Sequence, residues 1–313
     1  MAERLLIARQ FINEHYAKNI VLKLCGIAKS SYYYKPLQDN LQQKKGIAAS
    51  EFTSRKDGTK SSNLIVVNDI RNLLMQEFVD YGYLKVTYYL QDEKNYLINH
   101  KKVYRLMKTA GLLNIGRLAD KSRKEWVKEL VPKPEEAFSY WEFDIKFIYI
   151  DAVGRYAPLL SVVDVYSRYL VGWILQWSIK KEDVKSFFDT LISDYILPEK
   201  VYVRCDNGSQ FESNLVREYF TAKGIAQEFT KPATPQQNAH IESYHSIIQS
   251  AVCNRVEFSS LKQCEEVLIR WQQFYNQCRI HGGIGYQSPV KYLASKNLTI
   301  PLKINKEPMK ETG

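Results

Sequence analysis

The sequence predicts an α/β protein in which a mixed five-stranded sheet, with helices on both faces, follows two smaller helical domains. Three strand-like runs with short gaps begin at residue 140, and helices and strands alternate after them. Before residue 114, apolar residues recur mainly at helical spacing. Hydrophobic residues make up 45% of the 313 positions, which is enough to form folded cores over most of the chain.

Positive charge is concentrated in the first part of the chain. Residues 1–140 contain 24 Lys and Arg against 15 Asp and Glu, whereas residues 141–313 contain 20 against 19. The asymmetry indicates a polyanion-binding region joined to a nearly neutral domain, although a merely basic surface has the same composition. Five cysteines without a Cys-x-x-Cys pair predict reduced thiols in a cytoplasmic protein. No apolar run reaches 18 residues, which argues against a membrane protein.

The first predicted domain, residues 1–36, has the outline of a helix-turn-helix. A helical pattern covers residues 3–16, and residues 19–36 form two short helical patterns separated by Gly26 and stopped by Pro36. An ordinary helical hairpin has the same outline. In a helix-turn-helix the start of the second helix contacts base edges, and the side chains there are Lys29, Ser30, Ser31 and Tyr34.

A polar segment without periodicity, residues 37–63, predicts a flexible linker before a second helical domain at 64–116. Within that domain Asn99 can cap a helix that Gly111 terminates. The basic side chains of this helix either face solvent or contact DNA phosphate, and the basic first half of the chain favours phosphate. They are Lys101, Lys102, Arg105 and Lys108. A basic connector at 117–139 adds Arg117, Arg123 and Lys124 as DNA-binding candidates.

The sheet domain is predicted at residues 140–256, with a C-terminal helix and tail at 257–313. Gly154 and the Ser167-Arg168 step supply the turns between its first three strands. The elements are strands at 140–150, 155–167 and 168–178, a helix at 181–196, a strand at 200–206, a helix at 213–223, a short strand from Ala226, a helix from about Pro235 and an amphipathic helix at 261–279.

Three carboxylates in this domain occupy informative positions. Asp144 lies inside an apolar strand, where a charge is costly unless it binds a cation or pairs, for example with Lys146 on a wet face. Asp206 ends a strand before Asn207-Gly208, where it can also cap its own turn. Glu242 lies in an early helical turn, a position that the helix dipole favours for glutamate.

Taken together, the three acids indicate a metal site. Sixty-one residues separate Asp144 from Asp206 and 35 separate Asp206 from Glu242, so all three can converge at one sheet edge. Carboxylates held close together stay ionised only around hard cations such as Mg²⁺ or Mn²⁺. Two such ions about 4 Å apart stabilise the attacking and leaving oxygens of phosphoryl transfer, which needs no catalytic histidine.

The chain resembles the DDE transposases of bacterial insertion sequences, which have a retroviral-integrase-like core, and in particular the second-frame (OrfB) product of the IS-three family. The resemblance covers roughly residues 4–36 and 64–295. It is carried by WEFDIKFIYI (141–150), VVDVYSRYLVGW (162–173), RCDNGSQF (204–211), TPQQNAHIESYHSIIQ (234–249) and WQQFYNQCRIHGGIGYQSPVKYL (271–293). It implies a ribonuclease H-like fold in which Asp144, Asp206 and Glu242 are catalytic and hold two Mg²⁺ or Mn²⁺ ions.

The same resemblance implies 3′-end cleavage and strand transfer at the terminal inverted repeats of an insertion sequence. The expected partners are double-stranded DNA, as terminal repeats and as target, and further copies of the chain, at least a dimer on paired ends. It implies a bacterial, nucleoid-associated protein and allows fusion to an upstream reading frame. A nuclease of the same fold that cuts without joining, and a DNA-binding regulator with an inactive core, are the alternatives.

Two positions after Glu242 are assigned to DNA contact. Relatives usually carry Lys or Arg seven residues after the Glu, whereas this chain has Gln249, which can bond to phosphate but adds no charge. His245 lies one turn past Glu242 and either approaches the scissile phosphate or packs at the surface. Asp164, in the second strand, is assigned a structural role.

Overall fold

The computed structural model describes residues 2–33, 50–113, 132–231 and 235–303. The chain divides into two compact units, residues 1–50 and 51–313. Four of the predicted DNA-binding residues lie outside the described residues; they are Tyr34, Arg117, Arg123 and Lys124. Among the described helices, none combines the length and apolar character needed to cross a bilayer.

The first unit contains three helices, α1 (Ala2–Asn13), α2 (Lys18–Leu24) and α3 (Lys29–Tyr33). Gly26 follows α2 with a φ of +63°, a left-handed conformation that glycine adopts without steric cost, so α2 ends there as predicted. The helices bury a small core formed by Ala8, Val21, Leu22 and Ile27. The predicted pair of short helices joined by a turn is therefore present.

The second unit begins with a hairpin that corrects the sequence prediction. Strands β1 (Phe52–Ser54) and β2 (Lys60–Ser62) pair antiparallel, so the flexible linker predicted at 37–63 is wrong for this part, and residues 37–49 lie outside the described residues. The hairpin is held by Arg55, whose guanidinium donates to the Tyr96 hydroxyl at 2.9 Å and lies 4.6 Å from that ring's centroid. Its polar composition does not reveal this tertiary contact.

Three helices follow the hairpin, α4 (Asn63–Leu74), α5 (Tyr83–Asp92) and α6 (His100–Thr109), in agreement with the predicted helical segment. Asn99 caps α6 as predicted, because its side chain accepts a hydrogen bond from the Lys102 amide at 2.9 Å. Their shared core includes Val66, Ile70, Val86, Leu90, Val103 and Met107.

The central sheet contains five strands in the order β5-β4-β3-β6-β7. Strand β3 pairs antiparallel with β4 and parallel with β6, and β7 runs parallel to β6, so the predicted mixed sheet is confirmed. The strands are β3 (Tyr140–Ile150), β4 (Arg155–Asp164), β5 (Leu170–Leu175), β6 (Val201–Cys205) and β7 (Ile225–Phe229).

Helices cover both faces of the sheet, as predicted. On one face lie α7 (Lys181–Asp194), α8 (Ser209–Glu212) and α9 (Asn214–Ala222), and on the other lie α10 (Ala239–Ile248) and α11 (Leu261–Gln277). A further helix, α12 (Pro289–Ser295), belongs to the predicted C-terminal segment. This two-sided arrangement is the ribonuclease H-like architecture that the resemblance implied.

Side-chain alternation along β3 decides which residues reach the functional site. Trp141 and Phe143 are buried in the core shared with α7 and α9. Because neighbouring side chains of a strand point to opposite faces, Glu142 and Asp144 point toward the face covered by α10 and α11.

The helical domain formed by β1, β2 and α4–α6 packs against the end of α11 and the segment after it. Phe78 contacts the Trp271 ring edge-on at 5.4 Å between centroids. The Tyr88 and Tyr286 rings stack at 4.0 Å. Asp80, just before α5, forms a 2.7 Å ion pair with Arg279, whose side chain is only 1% exposed.

Candidate active site

The two aspartates are brought together by the pairing of β3 with β6. These parallel strands place Glu142 opposite Arg204, and continuing that register by two residues places Asp144 beside Asp206. Neighbouring strands lie about 4.8 Å apart, so side chains at these positions on the same face are neighbours. Asp206 directly follows the last residue of β6, which places its carboxylate at the edge of the paired region.

Glu242 comes to the same face on a helix. It lies in the first turn of α10. The buried residues of this helix, Ile241, Tyr244 and Ile248, pack against the sheet. The charge of Glu242 contributes to raising the pKa of Asp144, so the two carboxylates are near enough to interact electrostatically. The charges of Asp206 and Glu242 both act on Asp144, so the three acids that the sequence singled out share one region of the structure.

The site is electrostatically strained without a cation. Burial raises the pKa of Asp144 to about 7, with further increases from the charges of Asp206 and Glu242, although a hydrogen bond from the Ile145 amide opposes them. Burial also raises the pKa of Glu242, and the charge of Glu142 adds to that effect. Burial and neighbouring negative charge therefore make both Asp144 and Glu242 harder to ionise.

Among the described residues, no three His, Cys, Asp or Glu side chains lie close enough together to coordinate one metal ion as they stand. The donor set nevertheless fits a hard divalent cation, because all three groups are carboxylates and their mutual repulsion would be relieved by positive charge. Coordination at this site requires the side chains of Asp144, Asp206 and Glu242 to close around the ion.

Asp206 also makes the turn contact that the sequence offered as an alternative. Its Oδ1 accepts a hydrogen bond from the Gly208 amide at 3.0 Å, and Asn207 donates to the Thr230 carbonyl at 2.9 Å. These contacts hold the loop after β6 in place. They also fix one oxygen of Asp206 while the carboxylate stays exposed, so the turn and the site are compatible.

His245 lies against Asp144 in the site. Its Nδ1 is 3.5 Å from the Asp144 Oδ2, and its side chain is 13% exposed. Burial, with a smaller effect from the charge of Lys146, lowers the pKa of His245 to about 3, so its ring is neutral near pH 7. The geometry gives His245 an Asp144 contact, and its assignment to DNA stays a prediction.

Gln249, the other position assigned to DNA near Glu242, makes a local contact. Helix α10 ends at Ile248, and a π-helical turn, Gln249–Cys253, continues it. The Gln249 side chain donates to the Asn254 Oδ1 at 2.7 Å. This bond uses one of the two side-chain N–H donors of Gln249, and its contact with DNA stays a prediction.

Sequence reasoning missed the role of Glu142. Its side chain is fully buried and lies on the same face of β3 as Asp144. Its Oε2 accepts hydrogen bonds from the amides of His240 and Ile241 at 2.8 and 3.0 Å. A second acid two residues before Asp144, in a strand bordered by apolar neighbours, was the available signal.

Asp164 makes the structural contacts expected of it. It is fully buried at the end of β4 and accepts hydrogen bonds from the Phe138 amide at 2.9 Å and the Ser167 amide at 2.8 Å. The Ser167 hydroxyl donates to it as well. Burial raises the pKa of Asp164 to about 6, against the effect of these hydrogen bonds.

The predicted DNA-binding side chains differ in their exposure. Lys101, Arg105 and Lys108 lie exposed on α6, whereas Lys102 is half-buried and donates to the Phe52 carbonyl of the hairpin. On α3, Lys29 and Ser30 are exposed and Ser31 is half-buried. The accessible positive charge of α6 thus comes from Lys101, Arg105 and Lys108.

Comparison with known families assigns matches to three parts of the chain. Residues 134–235 match a family described as an integrase core domain, and residues 223–289 match a second family with the same description. Residues 62–117 match a family described as an HTH-like domain. The first two matches contain the candidate active site, and the third contains α4–α6.

Three curated relatives come from bacterial insertion elements. A protein of insertion element IS407 from Burkholderia multivorans is 27% identical over 70% of this chain and 77% of its own length. A protein of element IS476 from Xanthomonas euvesicatoria is 31% identical over 63% of this chain, which spans only 56% of that relative. The transposase of insertion sequence IS629 from Shigella sonnei is 21% identical over 90% of this chain and 92% of its own length.

Solved structures with a related chain trace include viral integrases. The HTLV-2 integrase catalytic core domain in complex with magnesium covers 51% of this chain with a TM-score of 0.39 and 14% identity, and 99% of that domain is covered. The simian T-cell lymphotropic virus intasome, in complex with a PP2A regulatory subunit, covers 74% of this chain and 77% of its own at a TM-score of 0.45 and 12% identity.

Proposed function

We propose that this chain, which matches integrase core and HTH-like domains and resembles proteins of bacterial insertion elements, is a DDE transposase that cleaves and joins the ends of its own element. In this proposal it binds the terminal inverted repeats, cuts the 3′ ends and transfers them to target DNA. The observation that supports the proposal is that Asp144 and Asp206 follow paired positions on neighbouring strands, with Glu242 near enough to raise the pKa of Asp144.

The three carboxylates are the metal-binding and catalytic residues of this proposal, and the chemistry depends on divalent metal. We propose two ions per site, Mg²⁺ or Mn²⁺, which when bound activate the nucleophile and stabilise the leaving oxygen. Asp144 and Asp206 hold one side of the site, each with one oxygen fixed by a backbone amide, at 2.8 Å from Ile145 and 3.0 Å from Gly208. Glu242 closes it from α10.

The nucleophile is water in the cleavage step and the freed 3′-hydroxyl in the joining step. No side chain has to serve as the general base, which agrees with the surroundings of the site. His245, the histidine beside Asp144, is neutral near pH 7, and the low pKa produced by its burial makes it a poor proton acceptor.

Recognition of the element's ends is assigned to the helical domains. Exposed Lys101, Arg105 and Lys108 on α6 form a positive surface suited to phosphate, and Lys29 with Ser30 on α3 offers a second contact. Two ends must be held together for transfer, so the working form is an oligomer, at least a dimer, on paired ends.

The direct test incubates the full chain with a labelled terminal-repeat duplex and Mn²⁺. We expect a nick at the 3′ end followed by a joined product, and neither product with Asp206→Asn, which removes one carboxylate charge but keeps the turn-forming side-chain oxygen. Binding of the duplex by this variant should stay near that of the unsubstituted chain.

Other outcomes separate the alternatives. Nicking without joining indicates a nuclease of the same fold, and a shifted but uncut duplex indicates a DNA-binding regulator. Equal loss of binding and cleavage in Asp206→Asn would assign Asp206 to the loop structure and remove it from the catalytic set.

A further inference from the structure

Two oppositely charged side chains lie on the same strands as the two candidate aspartates, two residues before them. Glu142 on β3 and Arg204 on β6 are register partners in the parallel pair, and each precedes a catalytic aspartate by two residues. Side chains two apart on a strand point to the same face, so both lie on the side that α10 covers. We call Glu142 and Arg204 the anchor pair.

Glu142 contacts the start of α10 from within the sheet. One carboxylate oxygen accepts from the amides of His240 and Ile241, and the other lies 2.7 Å from Nδ1 of the His240 ring. The first amides of a helix lack partners within the helix, and negative charge is favoured at that end.

This cap replaces the usual local one. Asn238 precedes α10, yet its side chain makes no hydrogen bond to the first-turn amides; it points back to the Phe143 carbonyl at 3.5 Å. The helix start is therefore fixed by residues that lie far from it in sequence. A 3₁₀ turn, Pro235–Asn238, leads into α10 without a local side-chain cap, so the contact with Glu142 helps to fix the helix start.

Arg204 holds the chain on the other side of the same helix start. Its Nη1 donates to the Gln237 carbonyl at 2.9 Å. Its Nε and Nη2 donate to the Glu228 carboxylate at 3.0 and 2.7 Å, and the guanidinium lies over the Tyr140 ring. These extra contacts fix the guanidinium plane, so the bond to Gln237 has a defined direction.

We propose that Glu142 and Arg204 are positioning residues that set the place and direction of α10 and thereby bring Glu242 to Asp144 and Asp206. Glu242 follows Ile241, one of the two residues whose amides Glu142 binds, so displacement of the helix start moves Glu242 directly. This inference rests on the proposed function, since it takes Glu242 as a metal ligand. It adds the contacts that position this helix residue beside two aspartates carried by neighbouring strands.

The test compares Glu142→Ala and Glu142→Gln in the full chain. Asp164→Asn is the matched control, because Asp164 is also a fully buried carboxylate that accepts two backbone amides, on the neighbouring strand. Three quantities are measured: hydrogen exchange of the His240 and Ile241 amides, the rise in melting temperature caused by Mn²⁺, and the Mn²⁺ concentration for half-maximal cleavage of a terminal-repeat duplex.

We expect Glu142→Ala to speed exchange of the two amides and to reduce the Mn²⁺-induced rise in melting temperature. The Mn²⁺ concentration for half-maximal cleavage should increase by about tenfold or more, the usual cost of losing a residue that orients a metal ligand. Glu142→Gln keeps one acceptor oxygen and should recover part of each effect. Duplex binding should change less than about twofold, since phosphate contacts lie elsewhere.

Three results would overturn the proposal. Unchanged exchange at His240 and Ile241 in folded Glu142→Ala would show that the cap does not hold α10. The same Mn²⁺ shift in Asp164→Asn would show a general loss of stability. An unchanged Mn²⁺ requirement despite faster exchange would show that Glu242 does not depend on the helix start.

A second variant keeps the test valid if Glu142→Ala does not fold. Arg204→Met removes the bond to Gln237 while keeping an apolar stem over Tyr140, and we expect a smaller shift of the same sign in all three measurements. Failure of the proposed function is recognised separately: the unsubstituted chain would then neither cleave the duplex nor gain stability from Mn²⁺, while amide exchange would still report on the anchor pair.

Discussion

At the scale of single residues, Asp144 shows how a functional site conflicts with stability. Its pKa of about 7 exceeds the ordinary value of 3.8, because burial and the neighbouring charges of Asp206 and Glu242 disfavour ionisation. The unfolded chain therefore releases this proton at lower pH than the folded chain does. Without metal, the contribution of Asp144 to stability falls as pH rises from about 4 to about 7, and stays at its lowest above that.

Substitution of Asp144 by Asn tests this conflict. Without added metal, we expect Asp144→Asn to be more stable than the unsubstituted chain by roughly 2–4 kcal/mol at pH 8, with the advantage fading toward pH 4. Cleavage of the terminal-repeat duplex should be abolished. Denaturant unfolding at several pH values measures the difference. An advantage that does not depend on pH would contradict the assigned ionisation of Asp144.

Asp164 provides the opposite case, an acid that serves the fold alone. Asp164→Ala leaves the amides of Phe138 and Ser167 without their buried acceptor, so we expect it to lower the free energy of unfolding by about 2–4 kcal/mol. Asp164→Asn keeps one acceptor and should cost less. Urea unfolding gives both values. Loss of cleavage in a fully folded Asp164→Asn would assign this residue to the active site after all.

At the scale of elements, α6 carries the strongest prediction about DNA. Its exposed residues Lys101, Arg105 and Lys108 should each lower the slope of log affinity against log salt by about one when replaced by alanine. Lys102→Ala is the matched control on the same helix, because the Lys102 ammonium is engaged with the Phe52 carbonyl and burial lowers its pKa. Titration of a terminal-repeat duplex at several KCl concentrations gives the slopes. If all four variants have the slope of the unsubstituted chain, α6 is excluded from the interface.

The elements of the sheet domain could be predicted because their sequence patterns are local. Strand β3 was predicted with its observed ends, and the alternation along it placed Asp144 on the face opposite Phe143. The hairpin at 52–62 could not be predicted, since its strands are three residues long and depend on Arg55 meeting Tyr96 across 41 residues. Strand pairing that relies on a distant side chain leaves no periodic signal.

The same distinction applies to the site. The spacing of Asp144, Asp206 and Glu242 indicated the metal ligands, because that chemistry requires particular residue types. Glu142 was not singled out, since nothing local shows that α10 will cover it. A buried acid is recognisable only when its partners are known, and those of Glu142 lie 98 and 99 residues further along the chain.

At the scale of the molecule, the packing of the helical domain on the sheet domain depends on a buried ion pair. Arg279 is 1% exposed and pairs with Asp80 at 2.7 Å, and Asp80 also accepts a hydrogen bond from Ser250 at 2.9 Å. We expect Asp80→Ala to lower the free energy of unfolding by about 3–5 kcal/mol, because it leaves a buried guanidinium without its counterion.

A double substitution tests whether this cost arises from the pair itself. Asp80→Ala combined with Arg279→Met removes both charges and should recover much of the loss, as measured by thermal or urea unfolding. If the double variant is as unstable as the sum of the two single variants, the contact between Asp80 and Arg279 is not what joins the domains.

The helical domain and the sheet domain belong to one compact unit. They are joined by the stacked Tyr88 and Tyr286 rings and by the Asp80–Arg279 pair. On the proposed function, the distance along the duplex between the phosphates held by α6 and the bond that is cut is then set by the protein. Each base pair added between those points advances the duplex by 3.4 Å and about a tenth of a turn, which carries the scissile phosphate away from the acids. The position of the cleavage site along each end of the element is therefore determined by the structure of its enzyme.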